Sequence, residues 1–374
     1  MEIEKEDLPY FEKLIRSFLS DELTKMNIFH PHILQYIPLA SGSEATGEKN
    51  IALFIRDCLL ASPESIAQFF AKSDASNLLI KLILEQLNNL ETKEIKQKYH
   101  PLLPMISEVF QEDMEFLIKH RDYFINNIDL FLAYYYFFYI TQVTLKLNQK
   151  HNGNWNTLTE VVYTLDWEST SKTRPSYNRG YRNIKEAGKH LLVHVNCLEH
   201  LNFIFGTKEA TPYPKLKEMF EDFSTEQQQQ LIELIKAWIS EYRYHTSLPE
   251  IDIKNENYEN LITILYESLD EGVSAETKSR YALSIEEIGK RYFLKTRGSL
   301  GYMLNITQDF LLLLTAISVK NERMALKEVF LQFERRGVYL DRYSKEAVVD
   351  LFDKVNILDK KSDSGDAQYV KPIL

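Results

Sequence analysis

Apolar residues recur along much of this chain at the three- and four-residue spacing of a helix face. Phe11, Leu14, Ile15, Phe18 and Leu19 form one such stripe, and Leu231, Leu234, Ile235 and Trp238 form another. From Leu130 to Leu145 the pattern fills in on every side, beginning LFLAYYYFFYI. A helix that is apolar all round belongs in a core, so this run predicts a buried central helix. It is shorter than the ~20 apolar residues of a membrane span, and it carries Thr141 and Gln142. Tyrosine has one polar end, which makes a helix at a subunit interface the alternative.

Start and stop signals divide the rest. Ser62, Pro63 and Glu64 place a cap before a proline at the first helical position. Ser224 with Gln227, and Ser284 with Glu287, read as capping boxes. Glycine and proline number only 12 and 11, so long stretches lack turn residues. Loops are expected at Ala40–Asn50, His151–Asn156 and Pro249–Asn257. Glu160–Trp167, with Val161, Val162, Tyr163 and Leu165, is either a short strand or an extended connector.

The last fifty residues or so change character. Asn321–Arg336 reads as an amphipathic helix with Met324, Phe330 and Phe333 among its apolar positions, ended by Gly337. Ser344 then caps a second helix, Lys345–Val355, with Ala347, Val348, Leu351 and Phe352 inward. Two extended runs, Asn356–Asp359 and Ala367–Ile373, flank a polar turn that holds Lys360, Lys361 and Gly365. Helix, turn, helix and hairpin is the plan of a winged-helix module. The expected architecture is mainly α, a multi-helix bundle with a C-terminal winged-helix-like module. Its parts are an N-terminal helical domain (1–157), a central helical domain with a basic tract (158–305) and the module itself (306–374).

Composition narrows the function classes. Two cysteines, Cys58 and Cys197, are too few for a disulfide framework and suit a reducing cytoplasm. Met1–Tyr10 is acidic and lacks the apolar stretch of a signal peptide, so a cytoplasmic protein with no membrane partner is expected. The net charge of −10 disfavours general nucleic-acid binding. Yet Lys278–Leu374 holds 17 basic against 13 acidic side chains, so a contact with duplex DNA is more plausible there than elsewhere.

The densest basic cluster is Lys172, Arg174, Arg179, Arg182, Lys185 and Lys189, interleaved with Tyr177 and Tyr181. Cations hold phosphates and aromatics stack on bases, although such a tract also serves to pair with an acidic remainder. In the C-terminal module, Arg342, Ser344 and Lys345 would reach the groove, with Lys360 and Lys361 against the backbone. His190, His194 and Cys197 share a helix face, with His200 close to it, but one helix rarely completes a zinc site. Gly42–Lys49 resembles a phosphate loop broken by Glu48 and Asn50. Glu250, Asp252 and Lys254 faintly suggest a metal-dependent nuclease core. Asp166 and Glu168 beside Trp167 suggest acid–base work, or simply caps and ion pairs. No complete catalytic motif emerges, and no cofactor or metal is expected.

The stretch Tyr163–Tyr181 (YTLDWESTSKTRPSYNRGY) resembles a signature of the G subunit of the DNA-phosphorothioation-dependent restriction system, the DptG or DndG family. Arg336–Lys345 (RGVYLDRYSK) and Lys361–Val370 (KSDSGDAQYV) resemble that family's ending. The resemblance implies an accessory subunit of a three-component antiphage assembly, with ATPase and helicase or translocase subunits as partners. It assigns no catalytic residue. The alternatives left by the residues themselves are a metal-dependent DNA-processing enzyme and a stand-alone winged-helix regulator.

Overall fold

The computed structural model describes residues 20–21, 25–26, 45–60, 97–360 and 368–374. The helical stripe at Phe11–Leu19, the start signal at Ser62, the Gly42–Glu44 part of the loop-like motif, and Lys361 lie outside them. The chain divides into two units, Met1–Tyr99 and His100–Leu374. In the first, β1 (Ser20–Asp21) pairs antiparallel with β2 (Lys25–Met26), and α1 spans Ala45–Phe54. Ala45–Asn50, expected as loop, is therefore helical.

The second unit is mainly helical. α2 (Pro104–Ile118) starts on a proline at its first position and packs on α3 (Arg121–Leu147), the 27-residue helix that carries the apolar run. Phe131, Tyr134, Tyr135, Phe137, Phe138 and Tyr139 are all buried, so α3 is the expected central helix. Its polar residues act inward. Gln142 donates to the Thr159 carbonyl and accepts from the Thr159 amide, each at 2.8 Å. Lys146 donates to the Asn154 carbonyl at 2.6 Å and to that of Thr157, which folds the 151–156 loop back on the helix. Among the described residues no helix is long and apolar enough to cross a membrane.

This clasp delivers the chain into β3 (Val162–Leu165), four consecutive buried residues, so Glu160–Trp167 is built around a strand. The short α4 (Pro175–Asn178) and α5 (Tyr181–Gly188) follow. Next come α6 (Leu191–Phe205), α7 (Tyr213–Asp222), α8 (Thr225–His245) and α9 (Tyr258–Gly272). They close a second core around Val193, Cys197, Leu201, Leu231, Ile235, Ile239, Leu261 and Leu265. The Ser224–Gln227 capping box forms in full at the start of α8. Its core face is Leu231, Ile235 and Ile239, and Leu234 is left outside. α10 (Ala275–Tyr281) and α11 (Leu283–Tyr292) come next; Ala282 precedes α11, so Ser284 lies inside that helix and caps nothing.

β4 (Leu294–Thr296) and β5 (Tyr302–Ile306) complete a small sheet of order β4-β5-β3-β7 with β7 (Tyr339–Leu340). β4 and β5 are antiparallel, whereas β3 runs parallel to both β5 and β7. Thr164 lies opposite Asn305, and Tyr163 opposite Leu340. This sheet therefore joins segments on both sides of residue 305.

The C-terminal part begins with α12 (Gln308–Val319), nearly all buried. β6 (Met324–Ala325), α13 (Leu326–Arg335) and α14 (Arg342–Lys354) follow. β8 (Leu358–Lys360) and β9 (Gln368–Val370) end the chain's regular structure, and β9 pairs antiparallel with both β6 and β8. Met324 is thus in a strand rather than in the helix. α14 starts earlier than the expected Lys345, because Asp341 and not Ser344 is its cap and accepts the Ser344 amide at 3.0 Å.

Between α13 and β7 the chain turns at Gly337, with φ of +77°. A Cβ there would lie 2.1 Å from the Phe138 ring, so only glycine brings the turn this close to α3. Beside it Arg336 is fully buried and grips α2. Its Nε and Nη2 donate to the two Asp113 carboxylate oxygens at 2.7 and 2.6 Å, and Nη2 also donates to the Ile317 carbonyl at 3.0 Å. Tyr135 donates to Asp113 at 2.6 Å.

Candidate functional site

The charged residues of greatest interest gather where the parallel strands end. β3 leads into Asp166, Trp167 and Glu168; β7 leads into Asp341, the cap of α14. Carboxyl ends of parallel strands are where such sheets place their sites. Here the space is filled by Arg174, which leans back from the N-terminus of α4. Its Nε donates to Asp341 Oδ2 at 2.8 Å, Nη2 donates to the other Asp341 oxygen, and Nη1 reaches the Ser169 carbonyl at 2.7 Å. Nη2 also meets Ser344 Oγ at 2.9 Å and Glu168 Oε1 at 3.0 Å. Ser344 donates to Glu168 Oε1 at 2.8 Å.

All four side chains are buried or nearly so: 8% of Arg174, 8% of Glu168 and 7% of Asp341 remain exposed, and Ser344 is fully covered. The electrostatics follow. Burial pushes both carboxyls up, but bonds from Arg174 and the Ser344 amide bring Asp341 below its ordinary range. For Glu168 burial wins and its carboxyl stays raised despite Ser344 and Arg174. Two carboxylates share one guanidinium, and the second Glu168 oxygen, Oε2, is buried without a partner.

A second, more open pair lies alongside. Lys295 on β4 binds the Asp166 carboxylate and donates to the Asp166 carbonyl at 3.0 Å. The hydrogen bond from Lys295 holds Asp166 below the usual carboxylate range. Arg297 donates to the Leu165 and Glu168 carbonyls at 2.6 and 3.2 Å, and so fixes the turn on which Trp167 stands half exposed. Every charge that points to chemistry here is engaged by another part of the chain.

No protein-family model and no curated protein matches this chain.

The expected DNA contacts separate into two groups. Arg174 and Ser344 are interior and hold the fold, so they are withdrawn from the surface set. Lys172 is exposed, Arg179 pairs with Glu160 at 2.7 Å, and Arg182 lies over the Tyr177 ring at 5.1 Å. Arg342 is 87% exposed, yet it binds Glu346 at 2.9 Å. Lys345 binds Glu334 at 3.2 Å and covers the Phe330 ring. Lys360 ends β8. Lys185 and Lys189 bind Glu286 and Glu186. The basic tract is therefore largely neutralised by acids that are remote in sequence or one turn away.

The other candidates disperse. Glu250, Asp252 and Lys254 stand exposed in an irregular loop with no strand to converge them. Among the described residues no group of three or more His, Cys, Asp or Glu side chains is placed to hold a metal ion. His194 Nδ1 meets the Tyr213 hydroxyl at 3.1 Å, His190 meets that of Tyr266 at 3.0 Å, and Cys197 is fully buried with its thiol pushed up to about 12.

His194 should leave a clear thermodynamic mark. Burial, with the charges of Lys150 and His190, lowers it to about 3. The unfolded chain then binds a proton below about pH 6.5 that the folded chain refuses, so folding stability falls as pH drops through that window. The expected loss is about 2 kcal/mol by pH 5. Urea denaturation at pH 7 and pH 5 should show it in the native chain and not in His194→Gln; an unchanged difference in that variant would refute the assignment.

Proposed function

We propose that this chain is a non-enzymatic scaffold subunit of a phosphorothioation-dependent DNA restriction assembly, in which α12 to β9 act as a winged-helix module that docks protein. Three features support the module. Its helix and strand order is α12, β6, α13, β7, α14, β8, β9, with β7 paired to β3 in the other sheet; its own sheet order is β6-β9-β8, and its two closing strands pair antiparallel. The G-subunit resemblance supplies the assembly and its ATPase and helicase or translocase partners.

The observation that carries docking over DNA binding is the charge state of α14. In a winged helix that reads DNA, this helix enters the major groove with free cations at its start. Here Arg342 is tied to Glu346 and Lys345 to Glu334, and the charged residues at the further exposed positions are Glu346, Asp350 and Asp353 against Lys354 at the far end. Tyr343 stands 63% exposed at the same end, an aromatic anchor of the kind that dominates protein interfaces.

Duplex binding across a salt series, together with co-purification of partner subunits, tests this reading. Lys345→Ala with Lys360→Ala and Lys361→Ala should leave weak DNA affinity and its salt slope unchanged, and Tyr343→Ala should reduce assembly at least tenfold. A slope shallower by about one per lost phosphate contact, with a parallel loss of affinity, would assign the module to DNA instead.

A further inference from the structure

The surface formed by α6 and α8 has no role in that reading and carries large exposed apolar side chains. Phe203 on α6 is 73% exposed; on α8, Leu234 is 56% and Tyr244 78% exposed. Trp238, one turn after Leu234 on α8, is half-buried, with its ring 5.5 Å from that of Phe203. Leu234, Trp238 and Glu241 follow one another at helical spacing, so they form one stripe on α8. Soluble surfaces scatter single apolar residues, whereas a contiguous patch marks an interaction site.

The patch is also held rigid. The Trp238 indole donates to His200 Nδ1 at 2.8 Å, and the His200 ring packs edge-on against both Trp238 and Tyr242. Burial lowers the His200 pKa, which keeps this acceptor neutral. An aromatic platform fixed in this way loses little side-chain entropy when it is covered.

Its surroundings are acidic. α6 has one formally charged residue, Glu199, one turn before Phe203. On α8 the carboxylates are Glu226, Glu233 and Glu241, against Lys236 and Arg243. Arg243 is buried and binds the Pro249 carbonyl, while Lys236 is already bound by Glu233 and Glu256. Glu199 and Glu241 flank the aromatic stripe; the His245 imidazole lies 3.4 Å from Glu241, and Lys236 and Arg243 are engaged elsewhere.

We propose that the α6–α8 surface docks an amphipathic helix of a partner protein, with an apolar face set on Phe203, Leu234 and Trp238 and lysine or arginine along its flanks. Apolar anchors at one-turn intervals fit a helix laid along the stripe, and the acidic border selects basic flanks. This extends the scaffold reading by a second docking surface, but its test does not depend on the identity of the assembly.

The probe is a pair of designed helical peptides, fluorescently labelled, with the same single face of leucines. One carries lysine at all other positions and the other glutamate. Titrated with the full chain and followed by fluorescence anisotropy, the lysine peptide should bind at least tenfold more tightly than the glutamate peptide. Phe203→Glu with Leu234→Glu should abolish that binding while the melting temperature stays unchanged, because both side chains are exposed. The double variant is more acidic, so undiminished or stronger binding would reveal plain charge attraction and overturn the proposal. So would equal affinity for the two peptides, or no binding of the lysine peptide. A dimer of the native chain in sedimentation, lost in the double variant, would also overturn it by making a second copy the occupant.

Discussion

Arg336→Ala is expected to lower folding stability by about 3–5 kcal/mol, the usual result of breaking a buried ion pair from one side. The guanidinium joins three helices at once: α2 through Asp113, α12 through the Ile317 carbonyl and α13 through the Gln332 carbonyl at 3.0 Å. Its removal leaves the Asp113 carboxyl in a site from which water is excluded, with the Tyr135 hydroxyl as its remaining close donor and the Lys320 ammonium 3.9 Å away. The loss therefore reflects an abandoned carboxylate more than a missing attraction. Arg336→Met with Asp113→Leu tests that account, since apolar replacement of a whole buried pair is often neutral. The double variant should recover most of the stability and fall short by about 1–3 kcal/mol, because the Tyr135 hydroxyl loses its acceptor. Urea denaturation followed by circular dichroism gives both values. A double variant no better than Arg336→Ala would mean that packing around the guanidinium, and not charge, is what the fold needs.

Much of this architecture is legible in the sequence where the signal is local. The Leu130–Leu145 run is apolar on all sides, and the helix that carries it is central for that reason. Ser224 and Gln227 sit three apart and form the capping box that their spacing requires. Val162, Tyr163 and Thr164 of β3 are β-branched or aromatic, so the stretch reads as a strand or an extended connector, and the structure makes it a strand.

Errors arise where a residue's role depends on a remote partner. Arg174 belongs by spacing to a basic tract, but the acid that claims it, Asp341, lies 167 residues along the chain. Ser344 has the right chemistry for a cap, and so does Asp341 three residues before it; the strand that precedes α14 decides between them. Met324 continues an amphipathic pattern, yet pairing with Val370 draws it into a strand. Local pattern reports secondary structure well and charge pairing poorly, because ion pairs form across the fold. Tyr163–Tyr181 and Arg336–Lys345, two of the three stretches that carry the resemblance to the restriction subunit, illustrate this. They meet at Arg174–Asp341 and Glu168–Ser344, so their distinctive residues include those that tie the structure together.

Arg174→Ala carries the second large expected effect. The substitution leaves Glu168 and Asp341 buried near each other without their shared cation, and it frees α14 from the end of β3. A loss of about 3–5 kcal/mol at pH 7 is expected. The pH dependence separates charge repulsion from lost packing. In the native chain Asp341 has a lowered pKa, so its contribution to stability is present above the ordinary aspartate range and is lost only as pH falls through the folded value. In Arg174→Ala the guanidinium no longer lowers either carboxyl, so both pKa values rise from their native positions while the Ser344 bonds stay in place. Their penalty is relieved on protonation, so the gap between variant and native chain should narrow as pH falls from 7 toward about 4. Arg174→Met with Glu168→Gln and Asp341→Asn should restore most of the stability at pH 7, because asparagine still caps α14. The same variants report on function. If this junction presents the C-terminal module, Arg174→Ala should weaken co-purification of partner subunits at temperatures where its helical content is still native. The triple variant should restore that co-purification. A gap that stays constant with pH would show that the carboxylates are solvated and that Arg174 acts through packing alone.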